Sequence, residues 1–176
     1  MRRVDTEEAL AVECADLDPD GAVYVTAFHD YASPDGLYRK YRTIFVDRRP
    51  YPYHLAISPN WLVHYFSADM VAHPEKLDEE RRFLEDPDNV LGPRATAAIA
   101  AVAQRLDLDY AGADFTLLPD GRVLLFEANA TMLTHAELED GPLAHKNPHV
   151  SRIFAAFDAM LDSVLDRGRR ARGEGG

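Results

Sequence analysis

The segment 108–132, LDYAGADFTLLPDGRVLLFEANATM, constrains the fold more than any other part of the sequence. It contains two runs rich in apolar and β-branched residues, and a Pro-Asp-Gly turn sequence at 119–121 separates them. Such runs on either side of a short turn are typical of a β-hairpin. The segment therefore predicts two strands, 113–118 and 122–127.

The register of this hairpin decides which side chains meet. If Leu118 pairs with Val123, Asp114 lies directly opposite Glu127, whereas a shift by one residue brings Asp114 opposite Phe126. In the first register the Cβ atoms of the two acids are about 5 Å apart, and like charges so close destabilise a sheet. A bound metal ion would neutralise them.

A third oxygen ligand follows on the second strand. Asn129 lies two residues beyond Glu127 and projects from the same face of an extended chain. Two carboxylates and a carboxamide suit Mg²⁺ better than they suit zinc or copper. The spacing therefore predicts a magnesium site at Asp114, Glu127 and Asn129, at a buried strand end indicated by the apolar run 123–126. The alternative is an edge hairpin whose acids point to solvent, with Asn129 capping the segment after the strand.

Hydrophobic periodicity and capping residues predict the rest of the chain. Helices are expected at 5–14, 74–85, 93–106 and 150–166, strands at 22–28, 41–46 and 50–58, a turn at 16–21, and an extended aromatic segment at 61–66. The segment 74–85 is so densely charged that we interpret it as a solvated helix without chemistry. One domain over 1–166 is expected, and the basic, glycine-rich segment 167–176 is expected to be a disordered tail.

One charged residue lies on an apolar strand face. Arg42 alternates with Ile44 and Val46 along the predicted strand 41–46. A charged side chain among such neighbours needs either an open sheet edge or an anion. The strand therefore singles out Arg42 as a candidate binding residue.

Two histidines are candidate contacts to a substrate. His54 follows the aromatic run 50–53 on a strand near Arg42, and His135 lies just beyond the acidic strand. A histidine without a visible partner is more often structural than catalytic. We interpret His54 as a candidate substrate or phosphate contact, with a structural role as the alternative.

The charge balance argues against one class of partner. The chain has 30 acidic and 19 basic residues, a formal net charge of −11, whereas nucleic acid is held mainly by lysine and arginine. The single cysteine, Cys14, cannot form a disulfide within the chain. No apolar run reaches the roughly 18 residues that span a bilayer. We therefore expect a cytoplasmic protein that binds neither nucleic acid nor membranes.

These motifs resemble the ATP-grasp superfamily. Asp114 with the sequence FEANAT at 126–131 resembles its metal-binding strands, and YRKYR at 38–42 resembles the stretch that carries its phosphate-binding arginine. The combination of VTAFHDYASPDGLYRKYR, PYPYHLAIS and LFEANATM is most similar to the glutathione synthase and ribosomal-protein-modifying glutamate ligase branch. The resemblance implies an α+β fold, the C-terminal lobe of ATP-grasp, with an antiparallel β-sheet flanked by helices.

The resemblance also implies roles toward ATP and Mg²⁺. Asp114, Glu127 and Asn129 would bind one or two magnesium ions that bridge the ATP phosphates. Arg42, the expected catalytic residue, would contact the phosphates together with Lys40. The other implied nucleotide contacts are the hinge at 25–28 with Val25 and Phe28 for adenine, Phe126 for the purine face, and Asp30 for the ribose.

The reaction of this family joins a carboxylate to an amine or a thiol. ATP phosphorylates the carboxylate, and the nucleophile then displaces phosphate. This chemistry depends on neutralising charge around the transferred phosphoryl group more than on a nucleophile from the enzyme. The expected partners are therefore small-molecule or peptide carboxylates and amines.

The sequence departs from the family on its N-terminal side. ATP-grasp enzymes hold the nucleotide between two lobes, and the first lobe supplies a glycine-rich loop and a lysine before the hinge. Here residues 1–21 contain no glycine cluster, the first lysine is Lys40, and Ala27 stands where an acid is usual. The N-terminal lobe is therefore expected to be truncated, and a partner chain or a second copy would complete the fold.

Three functions fit these observations. The first is an ATP-dependent carboxylate–amine ligase, or its nucleotide-binding half. The second is a non-catalytic remnant that acts as a nucleotide-binding, metal-binding or interaction module. The third, an acidic metal-binding domain unrelated to nucleotides, leaves Arg42 and Lys40 without an anion. A glycine-rich loop and lysine encoded upstream would favour the first, and a natural start at Met1 would favour the second.

Overall fold

The structure is a computed structural model that describes residues 2–15 and 22–173, with the backbone alone for residues 171 and 172. Backbone contacts divide the chain into two units, residues 1–30 and 31–176. The single domain expected over 1–166 stays a prediction.

The N-terminal unit contains one short helix, α1 (Glu7–Ala15). The hydroxyl of Thr6 accepts a hydrogen bond from the N–H of Ala9 at 3.1 Å, which satisfies one of the unpaired amides at a helix start. The helix predicted at 5–14 is therefore confirmed. The turn predicted at 16–21 lies outside the described residues.

The strand predicted at 22–28 is wrong, because residues 22–30 have no regular secondary structure. Val23, Tyr24 and Val25 are 53%, 97% and 65% exposed. β-Branched and aromatic residues form a stable strand only when a neighbouring strand and a packed face support them. None of the described strands pairs with this segment, so local propensity alone gave the wrong prediction.

A four-stranded antiparallel sheet forms the centre of the C-terminal unit, as the α+β prediction requires. Its strands are β1 (Tyr38–Val46), β2 (Arg49–Ser58), β3 (Tyr110–Leu117) and β4 (Val123–Asn129), and their order across the sheet is β2-β1-β3-β4. Asp47 and Arg48 connect the first two strands with φ values of 48° and 62°. Positive φ at both positions matches the turn type that suits the twist of a hairpin.

Helices flank this sheet. They are α2 (Pro74–Glu85), α3 (Pro87–Leu106) and α4 (Asn147–Arg172). Gly92 breaks α3 with a φ of +74°, and Pro93 begins the longer run that the sequence predicts. Because α4 continues to Arg172, residues 167–172 are helical. The prediction of a disordered tail is therefore wrong for these residues, whereas 174–176 lie outside the described residues. No described helix is both long and apolar enough to cross a membrane.

Side chains alternate along β1 between two cores. Tyr41 and Phe45 belong to the core that includes residues of α2 and α3, whereas Ile44 and Val46 belong to the core that includes residues of α4. Neighbouring residues of a strand point to opposite faces of the sheet. Arg42, two residues before Ile44, therefore lies on the α4 face.

Two segments differ from their predicted form. The aromatic stretch 61–66 contains bends and the start of a 3₁₀ turn, Tyr65–Ser67, instead of an extended segment. The charged helix α2 buries two of its charges, since the Lys76 ammonium donates to the carbonyl of Ala68 at 2.8 Å and Glu80 is fully buried. The interpretation of α2 as a solvated helix was wrong, because these two residues are four apart and share its inner face.

Gly112→Ala is expected to destabilise the fold by about 1–3 kcal/mol, the usual cost of overpacking a core. A Cβ atom at Gly112 would lie 2.6 Å from the sulfur of Met132 and 2.9 Å from its Cβ. Urea denaturation measures the free energy of unfolding. The loss should be smaller in a Met132→Ala background, which removes the sulfur and Cγ contacts and keeps only the Cβ contact, and an equal loss in both backgrounds would contradict the clash with the sulfur.

Candidate functional site

Four polar side chains form one row across the sheet. Arg42 on β1 lies directly opposite His54 on β2 and Asp114 on β3, and Asp114 lies directly opposite Glu127 on β4. Directly opposed residues share a face of a sheet, so the whole row lies on the α4 face. With neighbouring strands about 4.8 Å apart, the row is about 14 Å long.

An irregularity in β4 places Glu127 opposite Asp114. Near the turn Val123 pairs with Leu117 and not with Leu118. If this register continued unchanged along the strands, it would bring Phe126 opposite Asp114. A bulge between Asp114 and Phe115 then leaves Phe126 as an extra residue. The predicted pairing of the two acids is confirmed, although through a bulge instead of an even register.

A second irregularity lies beside His54. Arg42 pairs with His54, but the next residue, Thr43, pairs with Pro52, so Tyr53 is the extra residue of β2. Proline has no N–H to donate to a neighbouring strand, and it is found at bulges for this reason. The row is thus flanked by a bulge on each outer strand.

Asp114 is the buried centre of the row. Only 1% of its side chain is exposed, and Arg42 binds both of its oxygens, with Nε–Oδ1 at 2.5 Å and Nη2–Oδ2 at 2.8 Å. The ammonium of Lys40 lies 3.0 Å from Oδ2. Asp114 is therefore the anion that the sequence predicts for Arg42, and its charge is matched by two cations.

These ion pairs hold Asp114 in its charged form. Burial would raise the pKa of this carboxyl, but the hydrogen bond from Arg42 and the charges of Lys40 and Arg42 outweigh burial and lower the pKa below its usual value. The hydrogen bond to Asp114 raises the pKa of Arg42 against the effect of burial. Asp114 and Arg42 are therefore both charged at neutral pH.

The other two predicted metal ligands lie on the same face. Glu127 is 55% exposed, and its nearest cationic contact is Arg42 Nη2 at 4.0 Å. Asn129 lies opposite Gly112, and its Oδ1 accepts from the N–H and hydroxyl of Thr131 at 2.9 and 3.2 Å. The structure thus brings all three predicted oxygen ligands to one face, with Asp114 and Asn129 already hydrogen-bonded.

The expectation that β4 forms a buried strand end was wrong. β4 is an edge strand, and Leu125 and Phe126 are 41% and 38% exposed. The ring of Phe126 lies 5.0 Å from that of Tyr31, a residue that the sequence patterns do not single out. Tyr31 is itself buried and donates a hydrogen bond to the carbonyl of Trp61. Phe126 remains partly open, as its predicted contact with a purine requires.

The remaining predicted nucleotide contacts are Val25, Phe28 and Asp30. All three belong to the N-terminal unit, in the irregular stretch 22–30. The ring of Phe28 is covered by the guanidinium of Arg3 at 4.0 Å. Their contacts with a nucleotide stay a prediction.

A buried carboxylate of α2 forms a second polar cluster. Glu80 accepts hydrogen bonds from the N–H of Leu55 at 3.2 Å and the hydroxyl of Tyr65 at 3.1 Å. It also lies 2.9 Å from Nε2 of His145. The only sequence signal for this cluster is an acidic residue on the apolar side of α2. The signal is weak, because most residues of that helix are charged.

Lys146 extends this cluster toward His54. Its side chain is almost fully buried, and its ammonium donates to Glu137 Oε1 at 2.6 Å. The same ammonium lies 4.6 Å from the ring centroid of Tyr65 and 5.0 Å from that of Tyr53. A buried cation between aromatic rings is held by cation–π attraction in addition to its ion pair.

His54 joins the row to the second cluster. Its ring stacks on Tyr65 with centroids 4.6 Å apart, and its Nε2 is buried without a hydrogen-bond partner among the described residues. Burial, followed by the positive charges of Arg42, Lys146 and Lys40, lowers the pKa of His54 well below its usual value. His54 is therefore neutral at physiological pH. The other predicted histidine, His135, lies 3.2 Å from the hydroxyl of Tyr53.

The row, together with Lys40 beside it, combines two kinds of binding group. Lys40 and Arg42 can bind an anion such as a phosphate, and Asp114 and Glu127 can bind a cation. Within residues 2–15 and 22–173, no three His, Cys, Asp or Glu side chains are grouped closely enough to hold a metal ion by themselves. A cation at this site would therefore also need the Asn129 carboxamide, water or oxygens of a ligand.

Asp114→Asn is expected to destabilise the fold at neutral pH and to reduce its acid sensitivity. Because the folded pKa of Asp114 is lowered, its ionisation stabilises the fold fully above the unfolded pKa of about 3.9. This contribution is lost as the pH falls through the lower folded value. The difference in unfolding free energy between wild type and Asp114→Asn should therefore be constant above about pH 5 and shrink below about pH 4.

Urea denaturation across this pH range provides the measurement. The exposed Asp158 on α4 provides a control, since Asp158→Asn changes the net charge equally without touching the row. A difference for Asp114→Asn that stays constant down to the lowest pH would show that its ion pairs do not lower the pKa.

No protein-family model matches this sequence, and comparisons with curated proteins and with solved structures give no significant match.

Proposed function

We propose that this chain binds ATP with magnesium as part of an ATP-grasp-type carboxylate–amine ligase. The observation that carries the proposal is the row across the sheet, in which Arg42 and Lys40 meet Asp114, with Glu127 opposite. Phosphoryl transfer needs cationic side chains for the phosphates and carboxylates for the metal at adjacent positions. The row supplies both on one face of one sheet.

The donor set fits magnesium that arrives together with phosphate. Asp114, Glu127 and Asn129 provide only oxygen ligands, which Mg²⁺ prefers, and Mg²⁺ usually takes the rest of its shell from water and phosphates. Arg42 and Lys40 occupy the oxygens of Asp114. A triphosphate would draw these two cations toward its own oxygens and leave Asp114 for the metal.

In this mechanism the side chains position and neutralise charge. Arg42 and Lys40 would bind the phosphates, and Asp114, Glu127 and Asn129 would hold the metal. Bound magnesium would screen the phosphate charge that otherwise repels the attacking carboxylate. Phe126, partly exposed beside Tyr31, offers an apolar surface for the purine ring.

The chemistry then follows two substitutions. A carboxylate oxygen bonds to the γ-phosphorus while the bond to the ADP oxygen breaks, which gives an acyl phosphate and ADP. The amine nitrogen next bonds to the carbonyl carbon, the C–O bond to phosphate breaks, and an amine proton is released to solvent. No covalent bond to the protein is needed, which agrees with a row that contains no cysteine or serine.

A non-catalytic module is the second candidate function. The observation that favours it is the complete pairing of Asp114 by Arg42 and Lys40, because a matched buried ion cluster is stable without a ligand. In this case the row would be a structural feature of an interaction domain. An interaction domain of this kind differs from the ligase in whether the row binds nucleotide at all, whereas a remnant that still binds nucleotide differs from it only in the reaction.

Calorimetric titration with a nonhydrolysable ATP analogue separates a row that binds nucleotide from a row that is only structural. We expect binding in the presence of magnesium, and at least tenfold weaker binding by the Asp114→Asn, Glu127→Gln double variant, because two metal contacts are lost. The exposed acids Asp158 and Asp162 on α4 give a matched control, since Asp158→Asn, Asp162→Asn changes the charge equally. Absence of binding by the folded wild type would support the non-catalytic module.

Magnesium alone is expected to bind weakly, because it must displace two cations from Asp114. Lys40→Gln removes one of these cations and should have opposite effects on the two ligands. Magnesium alone should bind more tightly to this variant, whereas the analogue with magnesium should bind less tightly, since a phosphate contact is lost. Separate calorimetric titrations with each ligand measure both effects.

Arg122→Gln provides the control for this charge change, because Arg122 is exposed in the β3–β4 turn and pairs with Asp120. It should leave both titrations unchanged. If Lys40→Gln weakened both ligands or neither, the exchange of cations on Asp114 would be refuted.

A further inference from the structure

Two buried nitrogen atoms without partners lie at the β2 end of the row. The described residues offer no hydrogen bond to Nε2 of His54 or to Nδ1 of His145. Buried polar atoms are nearly always paired, and an unpaired one indicates a functional role or a bound water or ion. His54 stacks on Tyr65, Tyr65 donates to Glu80, and Glu80 contacts His145. The two unpaired nitrogen atoms therefore belong to one buried cluster.

The charges around His54 favour an anion. Arg42 lies directly opposite His54, and its Nε and Nη2 each donate to Asp114. The second N–H of Nη2 is on the side of Glu127, and the two N–H groups of Nη1 donate to none of the described residues. The buried ammonium of Lys146 lies over the ring of Tyr65, on which His54 stacks. Burial and, after it, these positive charges lower the pKa of His54, and the same charges would repel a cation placed at this position.

We propose that His54 Nε2, Lys146 Nζ and Arg42 Nη1 bind the carboxylate group of a small substrate. The neutral ring of His54 donates one hydrogen bond, and the two cations supply the charge. The role of this carboxylate rests on the proposed function, in which it would be the group that ATP phosphorylates. The sequence left His54 as a candidate contact to substrate or to phosphate, and we assign it to the substrate; the ATP and magnesium contacts of the proposed function use neither His54 nor Lys146.

The position of His54 in the row fits this role. With strands about 4.8 Å apart, His54 is about 5 Å from Arg42 and about 10 Å from Asp114 along the row. A carboxylate beside His54 therefore shares Arg42 with a phosphate on the Asp114 side. One guanidinium between both groups would bring the attacking oxygen to the phosphorus and reduce their mutual repulsion.

The substrate would enter under one segment. Residues 130–143, between β4 and the 3₁₀ turn that carries Lys146, contain neither helix nor strand. Leu133 and Leu138 in this segment are 80% and 83% exposed, whereas His135 and Glu137 contact Tyr53 and Lys146. Met132 and Leu143 pack against the cores at the two ends of this segment. Between them Leu133 and Leu138 make few apolar contacts, so this middle part can move to admit a small ligand.

The test measures binding of succinate and of inorganic phosphate without nucleotide, at constant ionic strength. Proton–nitrogen correlation spectra of the protein with ¹⁵N-labelled histidine report on each imidazole. We expect succinate to shift the ring nitrogens of His54 saturably and to bind at least tenfold more weakly to His54→Phe. His54→Gln, which places a donor near the position of Nε2, should retain part of the affinity. His73→Phe at an exposed position is the control.

The outcomes separate this inference from the proposed function. The Asp114→Asn, Glu127→Gln variant should still bind succinate, and His54→Phe should still bind the ATP analogue with magnesium. If succinate gave no saturable shift, or bound His54→Phe as tightly as wild type, the inference would be overturned even if ATP bound. Saturable binding of phosphate without succinate would overturn the carboxylate assignment. A thermal melt of His54→Phe that matches or exceeds wild type would confirm that lost binding is not lost folding.

Discussion

The ion pairs of Asp114 are the interaction on which the centre of the sheet depends. A carboxylate with 1% of its side chain exposed is costly to bury unless cations and hydrogen bonds compensate it. Arg42 supplies a two-point contact and Lys40 a third, and all three side chains come from the two central strands, β1 and β3. The pairing of these strands therefore joins backbone hydrogen bonding and charge compensation in one place. Removing either cation leaves Asp114 undercompensated in the core.

Two bulges turn this ion pair into a longer row. Without the bulge in β4, the register set at the turn would place the ring of Phe126 opposite Asp114. Without the bulge beside Pro52, the register set at the β1–β2 turn would place Tyr53 opposite Arg42 instead of His54. Bulges are common beside functional sites because they re-aim side chains while the rest of a sheet keeps its pairing. Here the outer strands adapt, and the central pair stays regular.

The sequence predicts the row better than its surroundings. Alternation placed Arg42 on an apolar face, because the face depends on local periodicity. The expected pairing of Asp114 with Glu127 is present, but it depends on a bulge that the spacing around the turn does not predict. The same reasoning failed for 22–28, whose strand propensity has no partner, and for Glu80, whose burial depends on packing against β2. It also missed Lys146 and Tyr31, since their contacts join residues far apart in the chain. Contacts of this kind carry no periodic signal.

The matched charges of the row also bear on which ligands it would accept. A bare anion that draws Arg42 and Lys40 away leaves Asp114 as an uncompensated buried charge, and a bare cation on Asp114 leaves the two basic side chains facing it. Each exchange alone carries a large electrostatic penalty in a partly buried site. A ligand that brings phosphate and metal together replaces both partners of every broken ion pair. In the proposed function, the same ion pairs that stabilise the sheet would therefore favour metal-bound nucleotide over either component.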